Sequence, residues 1–178
     1  TCDYERVEMA TTPDNALVGM AYVLGDAADR KRLIAADIMF NALLGSNEAP
    51  VKKAVLAAGL GGNVVSYTSG DQLQPHTLII LQNAQPDAAR EFRRVIEDEC
   101  RRLAEEGTPP DRRAAVFASE EFDLRQRDFG IADGVAIACD ALGTWLYEDT
   151  DEAATRALEY GSVYDELKQA LDTTFFED

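Results

Sequence analysis

A chain of 178 residues, 46% of them hydrophobic, makes one domain with material for a real core. Its formal net charge of −16 argues against nucleic-acid binding, which needs lysines and arginines to neutralise phosphates. No apolar run approaches the ~18 residues that a membrane helix requires. The start carries no charged–apolar–small signal pattern; the chain opens at Thr1 and reads as a piece of a larger one. Cys2, Cys100 and Cys139 are odd in number, far apart and match no metal spacing, so reduced thiols in a cytoplasmic protein are expected.

In chain order, residues 4–9 alternate weakly and suggest a strand, and 11–15 (Thr-Thr-Pro-Asp-Asn) read as a turn. Residues 16–24 predict a firmer strand. Val18, Met20, Tyr22 and Leu24 make its bulkier face, and Leu17, Gly19, Ala21 and Val23 make the other. With both faces apolar, it is expected inside a sheet. Asp29 can cap a helix running to Leu44, whose apolar residues lie on nearly all sides, so the helix should be largely buried. Gly45, Ser46 and Asn47 then form a turn, and Pro50 suits the first position of a short helix burying Val51 and Val55. Gly59 fits the left-handed residue after that helix, with Leu60 packing back on Val55; Gly61 and Gly62 turn the chain into a strand.

Residues 63–69 and 76–83 predict two strands joined by a short loop, hence an antiparallel pair. Helical periodicity follows over 86–107, with Phe92, Val95, Ile96 and Leu103 inward. Gly107-Thr108-Pro109-Pro110 breaks it, and a helix capped by Asp111 runs to about Asp128. A third spans 131–147, and Trp145 on it is expected to be buried near Phe122. Shorter helical patterns cover 151–160 and 163–171, and Phe175-Phe176 read as docked on the core or as the start of a further element. Strands followed by helices give an α+β fold, an antiparallel sheet with helices packed on one face.

Side-chain chemistry is sparse. His76 is the only histidine and has no His or Cys near it in sequence, so a strand-edge histidine, hydrogen-bonded or solvated, is expected rather than a zinc ligand; Ser66 and Ser69 lie near it along the hairpin, but without the G-x-S-x-G of an activated serine. Gly59-Leu60-Gly61-Gly62 lacks the Lys-Ser/Thr of a phosphate loop. The carboxylate runs Glu97-Asp98-Glu99 and Glu120-Glu121 read as solvated helix faces, with Glu121 and Arg125 spaced to pair. The acidic charge serves solubility, or forms a wall that attracts cationic peptides. An exposed sheet edge can bind an extended peptide as an added strand, without special side chains.

Two runs carry a resemblance. One is Leu43-Leu44-Gly45-Ser46, then Pro50, Lys53-Ala54 and Gly59-Leu60-Gly61. The other is Glu121-Phe122-Asp123-Leu124-Arg125, then Asp128-Phe129-Gly130, Gly134 and Trp145-Leu146-Tyr147. In this order and separation they resemble the second, non-catalytic domain of presequence-protease-like peptidases, in the pitrilysin/insulinase group of inverted zincins. The resemblance covers roughly residues 7–176. It implies the LuxS-like half-domain of these metallopeptidases and no catalytic or metal-binding residue in this stretch, with zinc held in a preceding domain of the parent chain. It implies as partners the other domains of that parent and a peptide substrate, which Gly45, Ser46, Asn47 and Glu48 and the strand residues Val64, Ser66 and Thr68 would help anchor. Ser66 and Tyr67 stand where some relatives carry glycine, and Asn47 and Ala49 replace the commoner proline and serine. A free-standing binding or assembly protein with the same fold and no catalysis is the alternative. The length of the natural reading frame distinguishes the two.

Overall fold

The computed structural model describes residues 4–10, 16–70, 72–126, 131–147, 150, 152–156 and 158–176. The turn at 11–15, the run Asp128-Phe129-Gly130 and Cys2 lie outside them. Three strands, β1 (Leu17–Val23), β2 (Asn63–Ser69) and β3 (His76–Gln82), form an antiparallel sheet in the order β1-β3-β2. Seven helices accompany it among the described residues. They are α1 (Arg30–Leu44), α2 (Pro50–Ala57), α3 (Ala88–Glu106), α4 (Pro110–Gln126), α5 (Asp133–Tyr147), α6 (Ala153–Arg156) and α7 (Tyr160–Ala170). This is the α+β arrangement that the order of elements implies.

Register explains the layering. Val18, Ile79/Leu81 and Val64 fall on one sheet face, because Val18 and Val64 both stand opposite Leu81. That face carries the main core, in which Val64, Leu81, Val55 and Phe92 are fully buried. Residues from α1, α2 and α3 close it. The opposite face shows Leu17, Val23 and Tyr67 more than half exposed. Helix α1 has a second partner set: its Ala35 and Ile38 pack with Phe117 of α4, Tyr164 and Leu167 of α7, and Phe176. Apolar residues on nearly all sides of α1 are thus accounted for by two cores rather than one.

Local signals set the helix ends. Asp29 accepts a hydrogen bond from the Arg32 amide, 3.1 Å, and caps α1. Pro50 opens α2, and Gly59, at φ +66°, ends it. The Gly59 amide donates to the Leu56 carbonyl, and Leu60 packs on the core that contains Val55. Gly61 is required by proximity: a Cβ there would stand 2.8 Å from the Gln82 carbonyl oxygen. Phe176 is buried in the second core, and Phe175, which meets its ring edge-on, stays exposed.

Four expectations need correction. Residues 4–9 form no strand, and Tyr4, Val7 and Met9 are exposed. Strand β1 lies at the sheet edge; its second apolar face belongs to the exposed side of the sheet. Helix α4 opens at Pro110, so Asp111 sits inside the first turn, where its charge still suits the helix dipole. Trp145 and Phe122 are both more than half exposed, and Trp145 shares its face of α5 with exposed Leu142 and Leu146. Helical periodicity identified that apolar stripe correctly, but periodicity does not say what covers a stripe.

Candidate functional site

The seven residues singled out from sequence flank α1. Gly45, Ser46, Asn47 and Glu48 are exposed in the turn after it. Two contacts hold this turn to α4: Arg112 donates to the Ser46 hydroxyl, 3.0 Å, and to the Glu48 carbonyl oxygen, 2.9 Å. Lys53 lies 3.4 Å from the Glu48 carboxylate. Val64 starts the buried face of β2 in the same core as Leu44, which ends α1. Ser66 and Thr68 follow on that face and are half-buried. Thr68 lies toward the other end of α1: it shares a cavity wall with Leu33, and a Cβ on Gly70, two residues further on, would stand 3.9 Å from the Leu33 side chain. The turn and the exit of β2 are thus separated along α1.

Strand β2 pairs only with β3 among the described strands, leaving its other edge without a strand. Side chains of a strand alternate between faces, at right angles to the hydrogen-bonding direction. Ser66 and Tyr67 therefore point to opposite faces and neither stands across the free edge, although both are bulkier than glycine.

A feature that sequence reasoning missed lies where β2 ends. Thr68, Ser69 and Gly70 line a cavity of about 440 Å³ together with α1, α4, α5 and Tyr164 of α7. Leu33, Ile34 and Ile38 give it apolar walls. Asp37, Glu120 and Asp140 bring carboxylates to it, and Arg30 a guanidinium. Arg30 is 3.7 Å from Asp140 and stacks over the Tyr160 ring, whose hydroxyl also donates to Asp140. The partners of the other two acids are neutral. The Thr68 hydroxyl hydrogen-bonds Asp37, and the Asn41 amide donates to Glu120, 2.6 Å. Burial raises the pKa of Asp37 above the usual carboxylate range. Burial does the same for Glu120, helped by the nearby charges of Asp37 and Asp123. Tyr164, buried beside these acids, is pushed up to about 12. The available signal was Asp37 itself, a carboxylate one helical turn from Leu33 and Ile34 on a helix read as buried.

Arg93–Glu97 at 2.7 Å and Arg101–Asp98 at 2.9 Å are exposed helical pairs, worth a few tenths of a kcal/mol each. Glu121 and Glu99 depart from the expected solvated faces: each is paired with an arginine, but their side chains are only 18% and 17% exposed. The His76 ring lies 3.4 Å from the Gln74 carbonyl oxygen. Among the described residues no three His, Cys, Asp or Glu side chains gather to hold a metal ion, so these residues do not fit a catalytic zinc. No described helix is long and apolar enough to cross a membrane.

No family model matches the chain. Protein HypA of Clostridium perfringens (strain 13 / Type A) is 30% identical over 158 residues, which are 88% of this chain and 16% of that protein. Presequence protease 1, chloroplastic/mitochondrial, of Arabidopsis thaliana is 29% identical over 122 residues, 67% of this chain and 11% of that protein. The chain thus spans about a sixth or less of these relatives' length. A provisionally named zinc protease from Bordetella pertussis Tohama I superposes with a TM-score of 0.60 at 16% identity, over 87% of this chain and 84% of that one. The inactive peptidase domain of a provisionally named zinc protease from Bordetella parapertussis gives a TM-score of 0.62 at 14% identity, over 93% and 88%. At these identities the solved structures establish the fold. In sequence the chain is similar over 122 residues to a presequence protease, the group that its two residue runs resemble, and its fold is that of the zinc protease domains above.

Proposed function

We propose that this chain is a non-catalytic domain of a zinc-dependent peptidase that degrades peptides in a closed chamber, where it forms part of the wall and anchors extended substrate. The free edge of β2 carries the reading, because an extended peptide can continue the sheet there through main-chain hydrogen bonds. The turn at residues 45–48, held by Arg112, supplies a second contact. Zinc and its ligands belong to another domain of the parent. The relatives' much greater length supports such further domains. The exposed apolar residues Val135, Leu142 and Trp145 on α5 offer a surface for one of them.

The test is a titration of isotope-labelled protein with a basic, unstructured peptide at low and at physiological salt. Amide shifts should concentrate in Asn63–Ser69 and at residues 45–48, with weak, near-millimolar affinity, since one wall alone orders the peptide at full entropic cost. Affinity should fall with salt, because exposed charges are screened over about 8–10 Å. Shifts confined to the charged outer faces of α3 and α4 would defeat the anchoring reading.

A further inference from the structure

We infer that the cavity at the end of β2 receives one cationic side chain, lysine or arginine, from a peptide extended along that strand. This rests on the anchoring reading above and names what the anchored segment must carry. The first argument is placement. A peptide added to the free edge of β2 sends alternate side chains to the helix-covered face, level with Ser66 and Thr68. Thr68, Ser69 and Gly70 are themselves part of the cavity wall, so the groove that such a strand creates leads into it.

The second argument is chemistry. Lysine and arginine have an apolar stem and a charged head. Leu33, Ile34 and Ile38 offer apolar lining for the stem, and Asp37 and Glu120 offer acceptors for the head. Arg30 does not satisfy these two acids, for it pairs with Asp140. Among the described residues, no lysine or arginine forms an ion pair with Asp37 or Glu120. Two carboxylates partly withdrawn from water, near enough to repel and facing only neutral donors, are an unfavourable arrangement in the empty protein. A single cation entering between them relieves both the desolvation and the repulsion. The lack of a cationic partner separates this half-buried pair from Glu97 and Asp98 of α3, each of which already has its arginine. A metal ion is a poorer occupant, because no third ligand completes a set among the described residues.

Two probes separate the cavity from the strand edge. The first is n-butylammonium, with n-butanol as its neutral counterpart, followed by amide shifts in the whole chain. The second is a pair of extended peptides that differ only in one lysine or norleucine. Butylammonium should shift the amides of Asp37, Thr68, Ser69 and Glu120 saturably, and butanol should not. Asp37→Asn and Glu120→Gln should each abolish those shifts while keeping a dispersed spectrum. The lysine peptide should bind about tenfold tighter than the norleucine peptide, as one charge-assisted contact would give, and Asp37→Asn should erase that preference. Equal response to butylammonium and butanol, or none to either, overturns the cation site. Equal binding of both peptides along β2 also overturns it and leaves the anchoring reading standing. A cavity response to butylammonium with no peptide shift in β2 overturns the anchoring reading, and with it the peptide as the source of the cation.

Discussion

Arg113 of α4 donates a 2.6 Å hydrogen bond to the main-chain oxygen of Leu171, just beyond the end of α7. The same guanidinium bonds the Thr108 hydroxyl, 3.2 Å, and lies over the Phe176 ring. One buried, planar fork therefore ties the start of α4 to the end of the chain. Arg113→Lys keeps the charge but loses the fork, and Arg113→Ala also leaves Leu171 without this donor. Each should cost about 2 kcal/mol, Ala more than Lys, in urea unfolding. A midpoint unchanged by Arg113→Ala would remove this link from the stability of the fold.

Gly59 and Gly61 differ in why they are glycine. Gly59 has φ +66° and open space around its Cα, so Gly59→Ala should cost about 1 kcal/mol, and Gly59→Asn less, because asparagine tolerates the left-handed region. Gly61 has no positive φ but is pressed against the Gln82 carbonyl and the Leu81 side chain. Gly61→Ala should cost more than Gly59→Ala and should shift the amides of β3. Equal melting temperatures for the two alanine variants would refute this ranking.

The acids of the cavity predict a pH dependence of unusual sign. Asp37 and Glu120 hold protons more tightly folded than unfolded. Between the two pKa values the native state carries the extra proton, so stability from these groups falls as pH rises from the ordinary carboxylate range through their raised folded values. Asp37→Asn removes that loss and can still accept from Thr68. At pH 7 it should therefore raise the melting temperature. Below the unfolded carboxylate pKa the two proteins should converge. A variant that melts lower than wild type at pH 7 would contradict the desolvation account.

Trp145, the sole tryptophan, is 52% exposed. Its fluorescence in the isolated chain should be quenched by acrylamide at close to the free-indole rate. Trp145→Ala should change stability by no more than about 0.5 kcal/mol, as for surface sites generally. A loss of 3 kcal/mol or more, typical of a buried tryptophan, would show that the side chain packs.

The contrast between Gly59 and Trp145 shows which parts of this molecule are legible in its sequence. The cap at Asp29, the start at Pro50, the end at Gly59 and the β2–β3 pair are decided by neighbours a few residues apart, and each falls where local chemistry puts it. The edge position of β1 and the solvent beside Trp145 depend on which distant elements meet, and residue type records only that a face is apolar. The cavity is the extreme case. Its acids stand at 37, 120 and 140 on three helices, and its strand residues at 68–70. No short motif can encode such a set, though Asp37 on the apolar face of α1 marks its position.

The order of strands also bears on how the chain is made. The central strand, β3, is the last of the three to leave a ribosome, and β1 is the first. Until residues 76–82 emerge, β1 has no neighbour to bond with, and at roughly 5–20 residues per second that interval lasts seconds. Strand β2 meets β3 across a short loop, whereas β1 must enclose α1, α2 and β2 to reach it, at a higher closure entropy. The nascent chain therefore passes through a stage in which Val18 and Met20 are synthesised but unpaired. Of the two pairings in the sheet, β2–β3 is the local one and β1–β3 the one that closes a long loop.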